Sequence, residues 1–336
     1  MNKPKAIFAL DAPVFDLVFG GENLRRLQTL VDVSRPTFPR EQILDRPELL
    51  LDVELLFSGW GSPRLDRNFL DAVPRLRAVF HAAGTVKPLV SDEFWDRNLT
   101  LANAASANAI PVAEFTLAQI ILSLKRTWWH IREIQRTTTY PDRNSHVAYG
   151  PGAYGSVVGI VSLGRIGALV CEKLRILDVK VIAYDPRLTP ERARELDVEA
   201  VSLEELFRRS DVVTVHTPWL VETENLITGK HIASMKHNAT FINTARGFVV
   251  NEKEMIDVLI NRQDLFALLD VVRDEPPPKT SPLYFLPNVV LTPHIAGSLH
   301  DECRRMGRFI VDETERFLSG RDLYWPVTRE QMANEA

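Results

Sequence analysis

One stretch of the sequence constrains the fold more than any other: residues 157–170, which read VVGIVSLGRIGALV. Its apolar, β-branched beginning is typical of a buried parallel strand. The glycines at 164 and 167 mark a tight turn, and the residues that follow have the composition of a helix. The pattern predicts a strand that enters a helix through a tight turn, as in a doubly wound α/β domain.

The same alternation of strands and helices runs along the chain in two series. Apolar runs alternate with helical segments such as 66–73 and 92–97, which predicts parallel sheets with crossover helices. We therefore expect an α/β protein with two Rossmann-like domains. The expected strands are 6–10, 53–57, 76–80 and 99–102 in the first series, and a run from 157, 179–184, 212–216, 240–243, 265–271 and 289–291 in the second.

A long helical pattern separates the two series. Apolar residues repeat at helical spacing over 111–135, and Pro111 suits the first turn of a helix. The apolar face is too wide for a free surface helix, so we expect it to pack between the domains. An open alternative is that Trp128 and Trp129 also reach a second subunit.

Two further segments complete the organisation. Residues 137–156, rich in Gly, Pro, Tyr and Thr, are expected to be a linker into the second sheet. A last helix over 301–318 follows the final strand and is expected to return the chain to the first domain.

Composition and charge exclude several classes of protein. The chain has 336 residues, 45% of them hydrophobic, which is enough for two cores. A net charge of -4 and a pI near 6.1 argue against a nucleic-acid partner. The sequence has no long uninterrupted apolar run and no signal-peptide pattern at its start, so we expect a cytoplasmic protein without a membrane partner. Cys171 and Cys303 are expected to be reduced packing residues, and no metal site is expected.

The turn at 162–167 is nearly a phosphate-binding turn of the form Gly-x-Gly-x-x-Gly. Gly164 and Gly167 occupy its second and third glycine positions, where the backbone approaches a pyrophosphate and the helix approaches the strand. Ser162 replaces the first glycine; serine is small, and its hydroxyl can bond nearby backbone groups if the bend keeps dihedrals that serine tolerates. The helix from Arg165 onward offers unpaired N–H groups to an anion.

Asp185 strengthens the prediction of a dinucleotide site. It ends a strand 18 residues after Gly167, near the spacing at which an acid meets the ribose hydroxyls. Because a carboxylate there repels a 2′-phosphate, NAD is favoured over NADP, although Arg187 would tolerate that phosphate. The alternative is that Asp185 only begins an Asp-Pro turn.

Three more segments place a polar group where an apolar strand ends, which is where open α/β sheets bind ligands. They end in Arg246, in Asp270 with Glu275, and in His294. Arg246 suits a substrate carboxylate and carbonyl, and His294 suits proton exchange with the alkoxide during hydride transfer. Glu275 would orient the imidazole and raise its pKa. Taken singly, each residue also suits a loop or surface position; together they predict reduction of a 2-oxo acid or the reverse oxidation.

These motifs resemble those of the D-isomer-specific 2-hydroxyacid dehydrogenase family. LGRIG, VHTP, INTARG, LDVVRDEP and LTPHIAG match it in order and spacing. The resemblance implies a flavodoxin-like substrate domain, residues 1–107 with 298–336, and an NAD-binding Rossmann domain, residues 108–297. It also implies a homodimer built around the cofactor domains and a cleft that shuts over a small 2-hydroxy or 2-oxo acid.

Individual roles follow from the resemblance. Arg246, Glu275 and His294 match the catalytic trio. Ala83 and Gly84, with Arg246, would bind the substrate carboxylate. The residues that would contact the cofactor are Gly164, Arg165, Ile166, Gly167, Asp185, His216, Thr217, Pro218, Thr244, Ala245, Arg246, Asp270, His294 and Gly297, with Asp270 taking the carboxamide.

The chain departs from the family in the first-domain loop HAAGTVK, residues 81–87. The family's usual acid is replaced by Val86, which puts the usual substrate assignments in doubt. Trp60 would cover the substrate side chain or simply pack in its loop, and Arg64 or Lys87 would meet a second anionic group.

Two alternative functions follow from the same fold. One is an NAD-sensing corepressor or scaffold, which Ser162 and the altered loop favour. The presence of the complete catalytic trio argues against it. Formate oxidation is disfavoured by Glu275, since a carboxylate paired with the histidine suits proton donation, which that reaction does not need.

Overall fold

The computed structural model describes residues 3–33, 43–45, 47–140 and 150–334. The chain divides into two compact units. Unit 1 comprises Met1–Asn108 and Ser298–Ala336, and unit 2 comprises Ala109–Gly297. Each unit is built around its own parallel sheet, which confirms the expected α/β class.

Unit 1 contains a five-stranded parallel sheet in the order β2-β1-β3-β4-β5. Its strands are β1 (Lys5–Ala9), β2 (Asp32–Val33), β3 (Leu55–Ser58), β4 (Ala78–His81) and β5 (Thr100–Asn103). The residues of β3 and β4 are all buried, as expected for central strands of a sheet covered on both faces.

Helices cover both faces of this sheet. They are α1 (Ala12–Phe19), α2 (Glu22–Leu30), α3 (Arg67–Ala72), α4 (Asp92–Asp96), α12 (Asp301–Leu318) and α13 (Arg329–Asn334). One core joins Phe8, Phe57 and Phe80 to α1, α2 and α12. The other core includes Phe69 of α3 and Phe94 of α4. Because alternate strand residues point to opposite faces, the apolar residues of these strands supply both cores.

Unit 2 contains a seven-stranded parallel sheet in the order β12-β11-β10-β9-β6-β7-β8. Its strands are β6 (Val157–Val161), β7 (Lys180–Tyr184), β8 (Glu199–Ala200), β9 (Val212–Val215), β10 (Thr240–Asn243), β11 (Phe266–Leu269) and β12 (Val289–Leu291). The strand order reverses between β6 and β9, which pair directly. A doubly wound sheet binds ligands at the carboxyl edge beside such a reversal.

The remaining helices lie in unit 2, except that the first of them begins in unit 1. They are α5 (Ala105–Leu124), α6 (Thr127–Thr137), α7 (Arg165–Leu174), α8 (Pro190–Leu196), α9 (Leu203–Arg209), α10 (Gly229–Ala233) and α11 (Glu252–Asn261). Helices α5 and α7 share one core with β6, and α9, α10 and α11 contribute to the other.

The expected single helix over 111–135 is wrong. Helix α5 begins at Ala105, with Pro111 in its interior, because the alanine-rich residues before the proline are already helical. The helix then breaks at Arg126, whose left-handed backbone (φ 52°) separates α5 from α6. Part of the expected linker, 141–149, lies outside the described residues.

Two further sequence expectations concern α5 and the cysteines. Among the described residues, α5 is long and apolar enough to cross a membrane, but half of it is buried and core helices meet the same criterion. Cys171 and Cys303 are free and buried, as expected for packing residues. Burial raises the pKa of the Cys171 thiol to about 12.

Candidate active site

The carboxyl edge of the unit 2 sheet gathers the polar residues that the sequence singled out. Arg246 lies in the loop after β10, Asp270 and Glu275 follow β11, and His294 follows β12. These strands are parallel neighbours in the sheet. Their carboxyl ends therefore bring the three loops together at one edge.

Glu275 and His294 are hydrogen-bonded to each other at this edge. The Oε2 atom of Glu275 lies 2.7 Å from Nδ1 of His294, and 50% of the histidine side chain is exposed. The second carboxylate oxygen of Glu275 accepts a hydrogen bond from the backbone N–H of Val272 at 3.3 Å. Because the carboxylate engages Nδ1, the Nε2 atom of the imidazole is the nitrogen left for a ligand.

The backbone of His294 is held in a left-handed conformation, with φ 56°. Its N–H donates to the carbonyl oxygens of Asp270 and Thr292, each at 3.0 Å. Strained backbones of this kind are concentrated at functional sites, where the surrounding structure holds them. The two hydrogen bonds thus set the direction in which the imidazole leaves the loop.

The loop that carries Arg246 is held from both sides. A Cβ on Gly247 would lie 2.0 Å from the carbonyl group of Val272, so only glycine allows this approach. The guanidinium of Arg246 donates to the Ala245 carbonyl at 2.7 Å. Burial lowers the pKa of Arg246, and the charge of Glu275 opposes that shift. Glu275 therefore acts on the charge of Arg246 and bonds the imidazole of His294.

Asp270 organises the histidine loop. It is buried, and its carboxylate accepts hydrogen bonds from the Thr292 hydroxyl at 2.5 Å and from the N–H groups of Ile295 and Ala296 at 2.9 Å. An ionised carboxylate offers about four lone-pair sites, so one remains available. Its expected contact with a carboxamide stays a prediction.

Sequence reasoning gave no role to Asn243, the last residue of β10. Its amide nitrogen donates to the Arg246 carbonyl at 3.1 Å, and its amide oxygen accepts from the Ala245 N–H at 3.0 Å. The adjacent Thr244 hydroxyl pairs with that of Thr116 at 3.1 Å. A polar asparagine at the end of an apolar strand was the signal that could have identified this loop-shaping residue.

The turn between β6 and α7 fits the phosphates of a dinucleotide. Gly164 caps α7 without a side-chain hydrogen bond, and no heavy atom lies within 4 Å of a Cβ built on it. A Cβ on Gly167 would lie 2.1 Å from the Ser162 carbonyl oxygen, so the close approach of helix and strand requires glycine there. Uncapped N–H groups beside open space are what a bound phosphate requires.

The expectation for Ser162 needs correction in two respects. Its φ is 74°, in the left-handed region rather than among the dihedrals that serine tolerates well. Its hydroxyl bonds the side-chain hydroxyl of Thr217 at 2.8 Å, not a backbone group. The physical reason is that the turn keeps its glycine-like path, which directs the side chain towards the loop after β9.

Asp185 takes part in local turn structure. Its two carboxylate oxygens accept from the N–H groups of Leu163 and Arg187, both at 2.8 Å. These bonds tie the end of β7 to the phosphate turn. Each oxygen retains a lone pair for a ribose hydroxyl. The geometry is therefore compatible with a ribose contact as well as with a role in the Asp-Pro turn.

His216 is buried directly after β9. Its Nε2 lies 3.2 Å from the Thr214 hydroxyl, and Nδ1 is buried with no partner in the described part of the chain. Burial lowers the pKa of His216 to about 3, so the ring is neutral near pH 7. An orphaned, buried ring nitrogen at the carboxyl edge is consistent with a ligand that approaches this loop.

The remaining predicted cofactor residues also lie at or near this edge. Arg165 and Ile166 form the first turn of α7, Ala245 is buried after β10, Pro218 follows Thr217, and Gly297 is the last residue of unit 2.

In unit 1, the predicted substrate residues Ala83 and Gly84 follow β4. Their carbonyl oxygens accept from the Ala104 N–H at 3.1 Å and the Asn103 side chain at 2.9 Å. Their own N–H groups have no acceptor among the residues that the structure describes. The loop therefore presents two adjacent donors, as a carboxylate ligand requires.

The residues that support this loop were not predicted. His81 ends β4 and is 5% exposed; its Nδ1 lies 2.9 Å from the hydroxyl of Ser58, the last residue of β3. Burial lowers the pKa of His81 to about 4, and a hydrogen bond to the Thr85 backbone opposes that shift. A neutral imidazole thus connects two strands to the loop.

The altered positions of unit 1 have different environments. Val86 is buried in an apolar core, which explains why the loop tolerates the loss of an acid there. Trp60 is 42% exposed, and its backbone carbonyl oxygen accepts a hydrogen bond from the Asp11 N–H at 3.1 Å. Arg64 is exposed and Lys87 is half-buried. Their contacts with a substrate stay predictions.

The chain is similar to known proteins in sequence and in structure. Residues 118–296, more than half of the chain, match the profile described as D-isomer specific 2-hydroxyacid dehydrogenase, NAD binding domain. A glyoxylate reductase of Korarchaeum cryptofilum is 30% identical over 273 residues, which cover 81% of this chain and 82% of the reductase. A D-3-phosphoglycerate dehydrogenase of Bacillus subtilis is 30% identical over 88% of this chain and 55% of its own length.

Solved structures show the same fold. The apo form of D-mandelate dehydrogenase from Rhodotorula graminis superposes with a TM-score of 0.82 and 24% identity, covering 97% of this chain and 98% of that one. The TT0316 protein from Thermus thermophilus has a TM-score of 0.74 and 27% identity, covering 96% and 100% of the two chains.

Proposed function

The chain belongs to the D-isomer-specific 2-hydroxyacid dehydrogenase family, and from this premise we propose that it transfers a hydride between NAD(H) and a small D-2-hydroxy acid or 2-oxo acid. The chain spans about half the length of the phosphoglycerate dehydrogenases that it matches, 52% and 55% in two cases. The proposed activity therefore rests on the residues of the site.

The observation that carries the proposal is the Glu275–His294 pair at 2.7 Å on the same sheet edge as Arg246. A guanidinium, an imidazole and a carboxylate are the groups that reduction of a 2-oxo acid needs. The turn before α7, where Gly164 offers no side-chain cap, lies at the carboxyl end of another strand of the same sheet. One edge thus offers both acid–base groups and a phosphate site.

In the reducing direction, Arg246 binds the substrate carboxylate and polarises its 2-oxo group with planar N–H donors. Nε2 of His294 gives a proton to the oxygen as negative charge develops on it. Glu275 holds Nδ1 and stabilises the cationic imidazole. Bound NADH would supply the hydride to carbon 2. In the oxidising direction, His294 takes up the hydroxyl proton.

The cofactor is assigned to the carboxyl edge of the unit 2 sheet. The first turn of α7 would hold the pyrophosphate. The carboxylate of Asp185 would accept hydrogen bonds from the ribose hydroxyls with its remaining lone pairs. A 2′-phosphate would be repelled by that carboxylate, which favours NAD over NADP.

Other parts of the proposal extend beyond unit 2. Ala83 and Gly84 are proposed to bind the substrate carboxylate through their free N–H groups, as the resemblance to the family implies. A homodimer is proposed on the same basis, and the cytoplasmic location stays a proposal made from the sequence.

The experiment is an assay of the purified chain with NADH and, in parallel, NADPH. The panel contains glyoxylate, hydroxypyruvate, phosphohydroxypyruvate, pyruvate and benzoylformate, with oxalate as a carboxylate that lacks a reducible 2-oxo group. We expect NADH oxidation with at least one 2-oxo acid, formation of the D-hydroxy acid, and slower turnover with NADPH. Absence of turnover across the panel with both cofactors would contradict the proposal. NADH binding without turnover would favour the corepressor alternative.

A further inference from the structure

Ser162 has no role in the proposed reaction, yet its conformation is unusual. It lies between β6 and α7 with φ 74°, a left-handed conformation that glycine adopts without strain and serine does not. Its N–H donates to the Tyr184 carbonyl at 2.8 Å, and its hydroxyl lies 2.8 Å from that of Thr217. The turn therefore keeps a side chain at a position where glycine would fit without strain.

The two hydroxyl groups leave one hydrogen atom unused. Each hydroxyl carries one hydrogen, and the bond between Ser162 and Thr217 uses one of the two. Neither hydroxyl has another hydrogen-bond partner in the ranges that the structure describes. Both residues are buried, at 8% and 2% exposure, so little of either residue is open to bulk water. A buried donor without an acceptor calls for an explanation.

A ligand bound at the turn would supply an acceptor for this hydrogen. Ser162 precedes Gly164 by two residues, and the space beside Gly164 is open to an anion. We propose that the Ser162 hydroxyl donates to a phosphate oxygen of the bound dinucleotide, while the Thr217 hydroxyl donates to Ser162 and orients it. This inference rests on the proposed function for its ligand. It makes Ser162 a cofactor-affinity residue at the first glycine position of the phosphate-binding pattern.

The proposal explains why the strain is retained. Glycine at 162 would relax the backbone but would contribute only its N–H group, which Tyr184 already engages. Serine adds a donor aimed by Thr217, and hydrogen bonds to charged groups are among the stronger ones. Backbone strain and cofactor affinity are thus opposed at one residue, and a glycine variant should change them in opposite directions.

The test measures dissociation constants by titration calorimetry and melting temperatures of the ligand-free protein. The ligands are NADH, ADP-ribose, which keeps the pyrophosphate, and adenosine, which lacks it. The variants are Ser162→Ala, Ser162→Gly, Thr217→Val and the double variant Ser162→Ala/Thr217→Val. Ser234→Gly, at an exposed serine of the same unit, is the matched control.

We expect Ser162→Ala and Ser162→Gly each to weaken NADH and ADP-ribose about tenfold, the loss of one charged hydrogen bond. Adenosine binding should be unchanged. Thr217→Val should weaken NADH only about twofold, because Ser162 keeps its hydrogen, and the double variant should bind like Ser162→Ala. Ser162→Gly should melt above Ser162→Ala, since glycine relieves the left-handed backbone.

Two results would overturn the inference. One is NADH affinity within twofold of the parent in both Ser162 variants; the other is a large loss in Thr217→Val with none in Ser162→Ala. If the serine effect appears but no 2-oxo acid is reduced, the proposed function fails and the inference stands. If the parent chain binds neither NADH nor ADP-ribose, both are wrong.

Discussion

The carboxyl edges of the two sheets place a histidine in opposite settings. In unit 2, His294 is half-exposed and pairs with the carboxylate of Glu275. In unit 1, His81 is 5% exposed and pairs with the neutral hydroxyl of Ser58. Both residues end or follow a strand at the edge where parallel sheets bind ligands. The residue type and its place along the strand are therefore not enough to predict its chemistry.

The difference lies in solvent access and in the charge of the partner. Burial without a charged neighbour lowers the pKa of His81 to about 4, so it is a neutral hydrogen-bonding group near pH 7. His294 keeps one ring nitrogen free and a carboxylate on the other, which suits proton exchange. The unit 2 edge is arranged for chemistry, whereas His81 gives mechanical support to a loop.

Removing the imidazole of His294 should have the largest effect. We expect His294→Ala to lower kcat about a thousandfold, the usual contribution of a positioned acid–base group. NADH affinity should be nearly unchanged, because the phosphate turn lies after a different strand. The measurement is steady-state reduction of the best 2-oxo acid, with NADH titration in parallel. His237→Ala, at a histidine whose side chain is 78% exposed, is the control. A loss below tenfold would break the contrast between the two edges.

Lowering the pH should destabilise the folded chain through the buried His81 of unit 1. In the unfolded chain, His81 takes up a proton near its ordinary pKa of 6.5. In the folded chain, burial lowers this pKa to about 4. Stability is therefore full above pH 6.5 and is lost as the pH falls from 6.5 towards 4, by about 3 kcal/mol for this group.

Urea unfolding between pH 8 and pH 4.5 checks this expectation. His81→Gln should lose stability less steeply with acid than the parent chain. Parallel curves for His81→Gln and the parent would show that His81 is not neutral in the folded protein.

Removing only the charge of the unit 2 pair should have a smaller effect. Glu275→Gln keeps an acceptor for Nδ1 of His294 but replaces a charge-assisted hydrogen bond with a neutral one. We expect kcat to fall about tenfold, which corresponds to about 1.4 kcal/mol. Glu275→Ala, which removes the acceptor as well, should lose more. Equal kcat in Glu275→Gln and the parent chain would mean that the charge contributes nothing.

The smallest effect is expected in unit 1. Ser58→Ala removes the hydroxyl bonded to His81 and should lower the free energy of unfolding by about 1 kcal/mol. Urea unfolding at pH 8 measures it, with the exposed Ser319→Ala as the control. Turnover number should stay close to that of the parent, since Ser58 supports the loop without contacting the trio. A large fall in kcat would give the unit 1 edge a chemical role.

Much of the fold was predictable because its signals are local. The apolar runs from 157 and at 240–243 and 289–291 became strands, since continuous β-branched segments suit a sheet covered on both faces. The glycines at 164 and 167 marked the turn, because the residues that a turn requires are also a local signal. The break at Arg126 was missed, because nothing in the helical periodicity of 111–135 signals a left-handed residue.

The site was predictable in its members but not in its contacts. Strand ends followed by Arg246, Glu275 and His294 pointed to one edge, since parallel strands align their carboxyl ends. The roles of Asn243, His81 and the Ser162–Thr217 pair were not foreseen. Each of these side chains contacts a group whose position depends on strand register or loop path.

By itself the sequence determined the alternation of strands and helices and which chemical groups stand at the ends of the strands. Periodicity and turn chemistry act over a few residues, so they can be read along the chain. Only the tertiary structure decided that His81 is buried and neutral, that Glu275 meets His294, and that Ser162 meets Thr217, 55 residues away. Those outcomes depend on packing between distant segments, which no local pattern specifies.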